Sequence, residues 1–400
     1  MGEVKPKIDT FAKITVIGVG GSGGSAVNRI IRSKLKGVNF VAANTDLQAL
    51  HQNLATKKIH LGKSITRGLG AGMDPEVGRK AAEESQNEIR DVLSGSDMVF
   101  VTCGLGGGTG SGGGPLIAQT ARDLGCLTIG VVTKPFAWEG AHRSAIADAA
   151  YKAMRENVDA LVTIPNDRIL SIIDKKTSLL EAFDMCDEVL KQGVRGIAEL
   201  ITVPGEPNVD FADVKTVMRQ SGSALMGIGE ASGENRAADA AKAAVSSPLL
   251  ETSIDGARGI LYGISCGPSL TMHEVQQVSE VVTASADPSA KIIFGVALDD
   301  TMKDMLRVTV VATGFDSSYQ SAAAAIGEGA NAERATFRPP KYFGKVSDAA
   351  EKKRMQERIS REQEQEDSAE EPAFAGVPAA KEKDKDEELE IPAFIRRKLG

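Results

Sequence analysis

The sequence predicts an α/β protein on a mainly parallel sheet, followed by a second, smaller α/β unit. Three observations carry that expectation. Short β-branched runs alternate with amphipathic helical stretches through the first half. Two of those runs end in glycine clusters, "GVGGSGGSA" from residue 18 and "GLGGGTGSGGGP" from residue 104. A long helical pattern at 178–201 then separates this half from a further set of strand-like runs.

The elements follow in order. "KITVIGV" (13–19) reads as a buried strand and "SAVNRIIRSKL" (25–35) as a helix. "VNFVAANTD" (38–46) is a second strand, and "PEVGRKAAEESQNEIRDVL" (75–93) an amphipathic helix with Pro75 in its first turn. Strand "DMVFVTCGL" (97–105), helix "PLIAQTARDLG" (115–125), and strands "LTIGVVTKP" (127–135) and "DALVTIPND" (159–167) complete the first half. In the long helix Leu179, Phe183, Leu190, Val194, Ile197 and Ile201 recur at helical spacing. The second half offers a helix at "RAADAAKAAVSS", strands at 257–266, 290–298 and 306–314, and a helix at 271–286. Beyond about residue 335 the chain is charged and poor in large apolar groups, a composition expected to stay disordered. It ends in "LEIPAFIRRKLG", where apolar residues return.

Composition narrows the function. A net charge of −7 argues against coating nucleic acid. Cys103, Cys126, Cys186 and Cys266 are scattered, with no C-x-x-C pair, and the four histidines have no ligand spacing. A reduced compartment without a structural metal is the expectation. The N-terminus lacks an apolar signal core, and no run is long enough to span a bilayer, so a cytoplasmic location is expected.

The first glycine cluster fits G-x-G-x-x-G through Gly18, Gly20 and Gly23, which by itself suits NAD, with Asp46 available at the end of the second strand. The second cluster, between a strand and a helix, is built to form an anion nest with hydroxyls from Thr109 and Ser111. Two such clusters on neighbouring strand ends would hold several phosphates. "LGKS" (61–64) is not a Walker A motif, because position 57 is Lys57 instead of glycine. Asp210 and Asp213 lie three apart at a helix start; they read as an N-cap and an N3 acid, or as paired carboxylates that polarise a water. Phe183 and Asp187, four apart on the long helix, read as a core aromatic and a solvated acid, or as a base-stacking ring and a carboxylate for guanine's N1–H and N2 donors.

The series "GVGGSGGSAVNRI", "ANTDLQAL", "RGLGAGMDPEVGRKAAEES", "GLGGGTGSGGGP", "IPND", "GIAELI", "NVDFADVKTVM", "SSPLLE" and "LRVTVVATGF" resembles FtsZ, the tubulin-like GTPase family of bacterial division, in order from about Ile14 to Gly314. The resemblance implies a Rossmann-like GTPase domain at 13–177, a central helix at 178–203 and a smaller α/β domain at 204–316. A flexible start (1–12), a largely disordered linker (317–389) and a partner-binding peptide (390–400) would flank them. It implies GTP or GDP as ligand, with Mg²⁺ on the phosphates and no metal ligand that can be named. Gly20, Gly21, Ser22, Gly23, Gly24 and Ser25, Gly70, Ala71 and Gly72, and Gly107, Gly108, Thr109 and Gly110 would face phosphates. Glu139 and Arg143 would lie near the ribose and phosphates and Asn166 near the ribose, Phe183 would stack on guanine and Asp187 would select it. Asn208, Asp210 and Asp213 would enter the next subunit's site, so that GTP is hydrolysed between subunits of a head-to-tail homopolymer forming the division ring at the inner face of the membrane. Residues Ile391 to Leu399 would dock on membrane-tethering division proteins. The chain departs from the family at Ser25, where Asn is usual, and at Met73 and Asp74. An NAD-dependent oxidoreductase is the alternative.

Overall fold

The computed structural model describes residues 12–170, 177–202, 209–247, 254–299 and 302–315. Strands β1 (Ile14–Val19), β2 (Val38–Asn44), β3 (Lys57–His60), β4 (Met98–Gly104), β5 (Leu127–Lys134) and β6 (Ala160–Pro165) pair in parallel in the order β3-β2-β1-β4-β5-β6. Parallel pairing demands crossover connections, and helices supply them. These are α1 (Gly20–Arg32), α2 (Leu47–Gln52), α3 (Lys63–Thr66), α4 (Pro75–Glu84), α5 (Gln86–Leu93), α6 (Gly108–Asp123) and α7 (Ala141–Asn157). Helix α8 (Asn166–Leu170) follows β6 directly, α9 (Leu179–Thr202) is the long central helix, and α10 (Phe211–Met218) leads into the remaining strands.

Side-chain alternation divides the sheet into two buried faces. Val16 of β1 and Phe100 of β4 pack with Ile30 of α1 and Leu190 and Ile197 of α9. Their neighbours Ile17 and Val101 pack on the other face with Ile89 of α5, Ile117 of α6 and Met154 of α7. Strand β7 (Gly222–Ser232) continues the same sheet, pairing with β6 in parallel through Ala160–Val162 and Gly222–Ala224. Beyond it the order is β10 (Met305–Thr313), β8 (Ala257–Cys266) and β9 (Ala286–Leu298), with β10 antiparallel to both its neighbours. Helices α11 (Arg236–Val245) and α12 (Met272–Thr283) cover this part around Tyr262, Ile264 and Val308.

Several boundaries differ from the sequence expectations. Helices α1 and α6 begin inside the glycine clusters, at Gly20 and Gly108, instead of after them. Glycine is a poor helix former, but its missing side chain permits contacts that this packing requires. A Cβ on Gly23 would lie 2.3 Å from the Thr102 carbonyl oxygen of β4, and one on Gly112 would lie 1.9 Å from that of Pro75. The stretch 75–93 is two helices, broken at Ser85. Strand β7 is not expected from the sequence, because "GSALMGIGEAS" alternates small residues with modest apolar ones. The expected linker and terminal peptide, like Asn208, lie outside the described residues.

Candidate functional site

The carboxyl ends of β1, β4, β5 and β6 open on a cleft of about 400 Å³. Open α/β sheets bind ligands in this position. Its floor is made by the first turns of α1 (Gly20, Gly21, Ser22, Ser25) and α6 (Gly107, Gly108, Thr109, Gly110). Neither helix start has a side-chain cap or an acid in its first turn. Their leading N–H groups and positive dipole ends are therefore presented to whatever occupies the cleft. A Cβ added at Gly21 or Gly107 would meet nothing within 4 Å, so the backbone there is open to a ligand. The Thr45 and Thr109 hydroxyls, 2.7 Å apart, tie the turn after β2 to the start of α6.

The rest of the wall comes from three segments. After β5, a short 3₁₀ turn carries Glu139, whose carboxylate accepts from the Phe136 N–H at 2.9 Å and pairs with Arg143 in the first turn of α7. After β6, Asn166 is 6 % exposed, and its Oδ1 has no hydrogen-bond partner. A buried carbonyl oxygen without a donor is costly, and a ligand hydroxyl would satisfy it. From α9, Phe183, Cys186 and Asp187 close the far side. Phe183 meets Phe136 and Trp138 edge to face, with centroids 5.7 and 6.4 Å away, while Phe136 and Trp138 stack on each other at 5.4 Å.

Charge in the cleft is unbalanced at one point. Burial pushes the Asp187 carboxyl up to about 6, and the neighbouring Asp184 adds to the rise. Arg29, with Nη2 4.0 Å from Asp187, opposes it but hydrogen-bonds Asp184 instead. The Cys186 thiol is pushed to about 12, mainly by burial, so it sits there as a small apolar group.

Some expected residues stand elsewhere. Gly23 packs between β1 and β4, and Gly24 lines a smaller adjoining cavity of about 210 Å³. Gly70, Ala71 and Gly72 precede α4 and do not line the cleft; Ala71 lies against Gly108. Asp210 caps α10 by accepting from Ala212 N–H at 3.1 Å, Asp213 follows at N3, and both are exposed and outside the cleft. Asp46, the acid that NAD would need, is used in capping α2, where it accepts from Gln48 and Ala49. Leu105, Thr133, Pro135 and Cys186 also line the cleft, and sequence reasoning misses all four. "TKPF" at a strand's end is the signal available for Thr133 and Pro135. Among the described residues no group of three or more His, Cys, Asp or Glu is placed to hold a metal, and no helix is long and apolar enough to cross a membrane.

A doubly wound sheet with two uncapped helix starts over one cleft defines a phosphate-binding α/β protein, and comparison with known proteins specifies which. The family model described as "Tubulin/FtsZ family, GTPase domain" matches residues 13–174, and "FtsZ family, C-terminal domain" matches 222–316. An FtsZ dimer from M. jannaschii, described as empty, is 45 % identical over 76 % of this chain and 88 % of that one, with a TM-score of 0.73. CetZ2 from Haloferax volcanii, a protofilament bound to GTPγS, is 24 % identical over 80 % of this chain and 99 % of that one (TM-score 0.66), a likeness of fold alone. The chain belongs to the FtsZ family of tubulin-like GTPases. Nothing in these comparisons supports the dinucleotide alternative.

Proposed function

We propose that this protein polymerises head to tail and hydrolyses GTP at each junction, the loop before α10 of one subunit completing the cleft of the next. The observation that carries this is the length of α9. Phe183 and Asp187 line the cleft near its start. At 1.5 Å per residue, its last residue, Thr202, is about 28 Å beyond Phe183 and about 22 Å beyond Asp187. Asp210 and Asp213 follow eight and eleven residues later, beside Val209, whose side chain lies against Gly295 of β9, and neither lines the cleft. They are out of reach of their own cleft.

Within the cleft, the ionisable side chains are Glu139, Arg143, Cys186 and Asp187. Glu139 is engaged by Arg143 and the Phe136 N–H, and Asp187 sits at the aromatic end, away from the helix starts. The cleft thus suits binding more than chemistry. In this reading the first turns of α1 and α6 bind the phosphates, Asn166 accepts from the ribose, and Phe183 and Asp187 hold guanine. Mg²⁺ would accompany the phosphates and supply charge neutralisation there. An exposed carboxylate from a second subunit would orient the attacking water. A contact between different surfaces that does not close on itself gives an open filament. Assembly into a division ring at the membrane, with residues 391–399 docking on tethering proteins, completes the proposal.

The test is GTP turnover per subunit across a protein concentration series. A shared site makes turnover rise steeply at the assembly threshold. Turnover that stays constant through the range in which sedimentation shows polymer would refute it.

A further inference from the structure

At the opposite, amino-terminal ends of the strands, where β5, β6 and β7 begin, lies a cavity of about 170 Å³ that no part of the nucleotide reading uses. It sits on the seam between the two halves of the sheet, where β6 and β7 are joined by only the three pairs Ala160–Gly222, Leu161–Ser223 and Val162–Ala224. Arg122, in the last turn of α6, reaches it from the first half; Lys215 and Arg219, one turn apart at the end of α10, reach it from the second.

Asp159 is the one acid lining this cavity, and its carboxylate is already engaged. It is 7 % exposed; Oδ2 accepts from Thr128 N–H at 2.9 Å and Oδ1 from Gln220 N–H at 3.3 Å. Its carbonyl oxygen accepts from Gly222 N–H at 3.0 Å. Asp159 is therefore a pin across the seam, and its single negative charge balances one of the cations around it. Arg122 gives one N–H to the Glu156 carbonyl oxygen at 2.7 Å and keeps the rest of its fork. Lys215 and Arg219 have no charged partner among the described residues. Gln220 beside them holds φ +54, a conformation costly for a non-glycine residue and maintained here by the Asp159 bond.

Three cations against one carboxylate leave the lining with an excess of two positive charges. At about 30 Å³ per water the cavity has room for roughly five water-sized groups. That fits a small oxyanion with retained water. Arginine forks and a lysine are the groups that bind such an anion. We propose that this cavity is a binding site for a phosphate-class oxyanion, whose occupation clasps α6 to α10 and stiffens the β6–β7 seam. Because α10 begins with Asp210, the clasp also fixes the helix on which the proposed catalytic carboxylates stand.

The test uses the full chain saturated with GDP, so that its nucleotide cleft is filled. Inorganic phosphate is titrated at constant ionic strength against chloride, with sulfate in parallel, and the melting temperature is followed. The wild type is expected to show a saturable rise that Arg122→Gln/Arg219→Gln loses, its phosphate affinity falling at least about tenfold. An equal saturable rise with sulfate supports a general oxyanion site; none with sulfate narrows it to phosphate. A rise without saturation, or one that persists in the double variant, means that the cations only complement helix C-termini and overturns the site. Hydrogen exchange at Gly222–Ala224 reads the clasp: phosphate should slow it in wild type only, and binding without that slowing refutes the stiffening. Single Arg219→Glu, with GDP affinity as the check on folding, repeats the test if the double variant is unstable.

Discussion

Asp187 gives the most quantitative handle on the proposed guanine site. Without nucleotide its carboxyl is pushed from an ordinary 3.8 up to about 6, first by burial. Guanine would offer it two N–H donors, which only the ionised form accepts well. Nucleotide binding then selects the ionised form and releases a proton around pH 6. Affinity should be full above pH 7 and fall as pH drops through 6, by about tenfold for each unit below it. The GDP phosphate titrates in the same range, so the readout is the difference between wild type and Asp187→Asn. Calorimetric GDP titrations from pH 7.5 to 5, in two buffers of unlike ionisation heat, give affinity and proton release together. The wild type should lose about tenfold more affinity than Asp187→Asn over this range, from a higher starting value. Arg29→Gln removes the cation that opposes the rise and should move the midpoint upward. Equal pH profiles for wild type and Asp187→Asn would refute the assignment. The same shift bears on stability. A carboxyl whose folded pKa is raised stabilises the fold below pH 4 and loses that contribution as pH rises through 6. Two units correspond to about 3 kcal/mol at most, so Asp187→Asn should stabilise the nucleotide-free protein at pH 7.5 by on the order of 2 kcal/mol.

Other outcomes follow from the same geometry. Asp210→Asn keeps a capping side chain on α10, whereas Asp210→Ala removes it at a cost of about 1 kcal/mol; turnover lost in both, with GDP affinity unchanged, identifies chemistry instead of capping, and normal turnover in Asp210→Asn rules the carboxylate out. Gly112→Ala puts a Cβ 1.9 Å from the Pro75 carbonyl oxygen and should destabilise the fold by about 3 kcal/mol or more in chemical denaturation. Gly21→Ala meets no atom and should fold normally while weakening GDP binding at least about tenfold. Deleting residues 390–400 should leave sedimentable polymer intact and abolish binding to a membrane tether; loss of polymer would reassign that segment.

Strands β1, β4, β5 and β6 are legible in the sequence because each is a run of β-branched and large apolar residues buried on both faces, whereas β3, "KKIH" at the edge of the sheet, is too short and too polar to announce itself. Strand β7 is not legible either, because Gly227 and Gly229 lie where α11 packs closest, with Cβ positions 1.9 and 2.0 Å from the Ala244 and Ala240 carbonyl oxygens. The helix demands glycine there, and glycine erases the β signal. The same effect hides the starts of α1 and α6. At the site, Gly20, Thr109 and Asp187 are legible from spacing and family resemblance together, whereas Cys186 and Thr133 reach the cleft only through the packing of α9 and β5. No pattern in the chain announces such neighbours.

The helix starts explain how one glycine-rich sequence supports both packing and binding. Helices α2, α4, α10 and α12 are capped by Asp46, Asp74, Asp210 and Thr271. Each of those side chains takes N–H groups that would otherwise face solvent. At α1 and α6 the corresponding residues are Val19 and Gly107, neither of which can accept such a bond through its side chain. Helices α3, α5, α7 and α11 also start without a side-chain cap, but α1 and α6 are the pair whose starting glycines line one cleft, where a ligand acceptor would meet their N–H groups. The cap on α10 works in the opposite sense. Holding Oδ1 of Asp210 against Ala212 N–H fixes the carboxylate at the surface and leaves Oδ2 pointing away from that bond. An ordinary cap is thus also what a group needs if it must meet a water in a neighbouring subunit without being reorganised first.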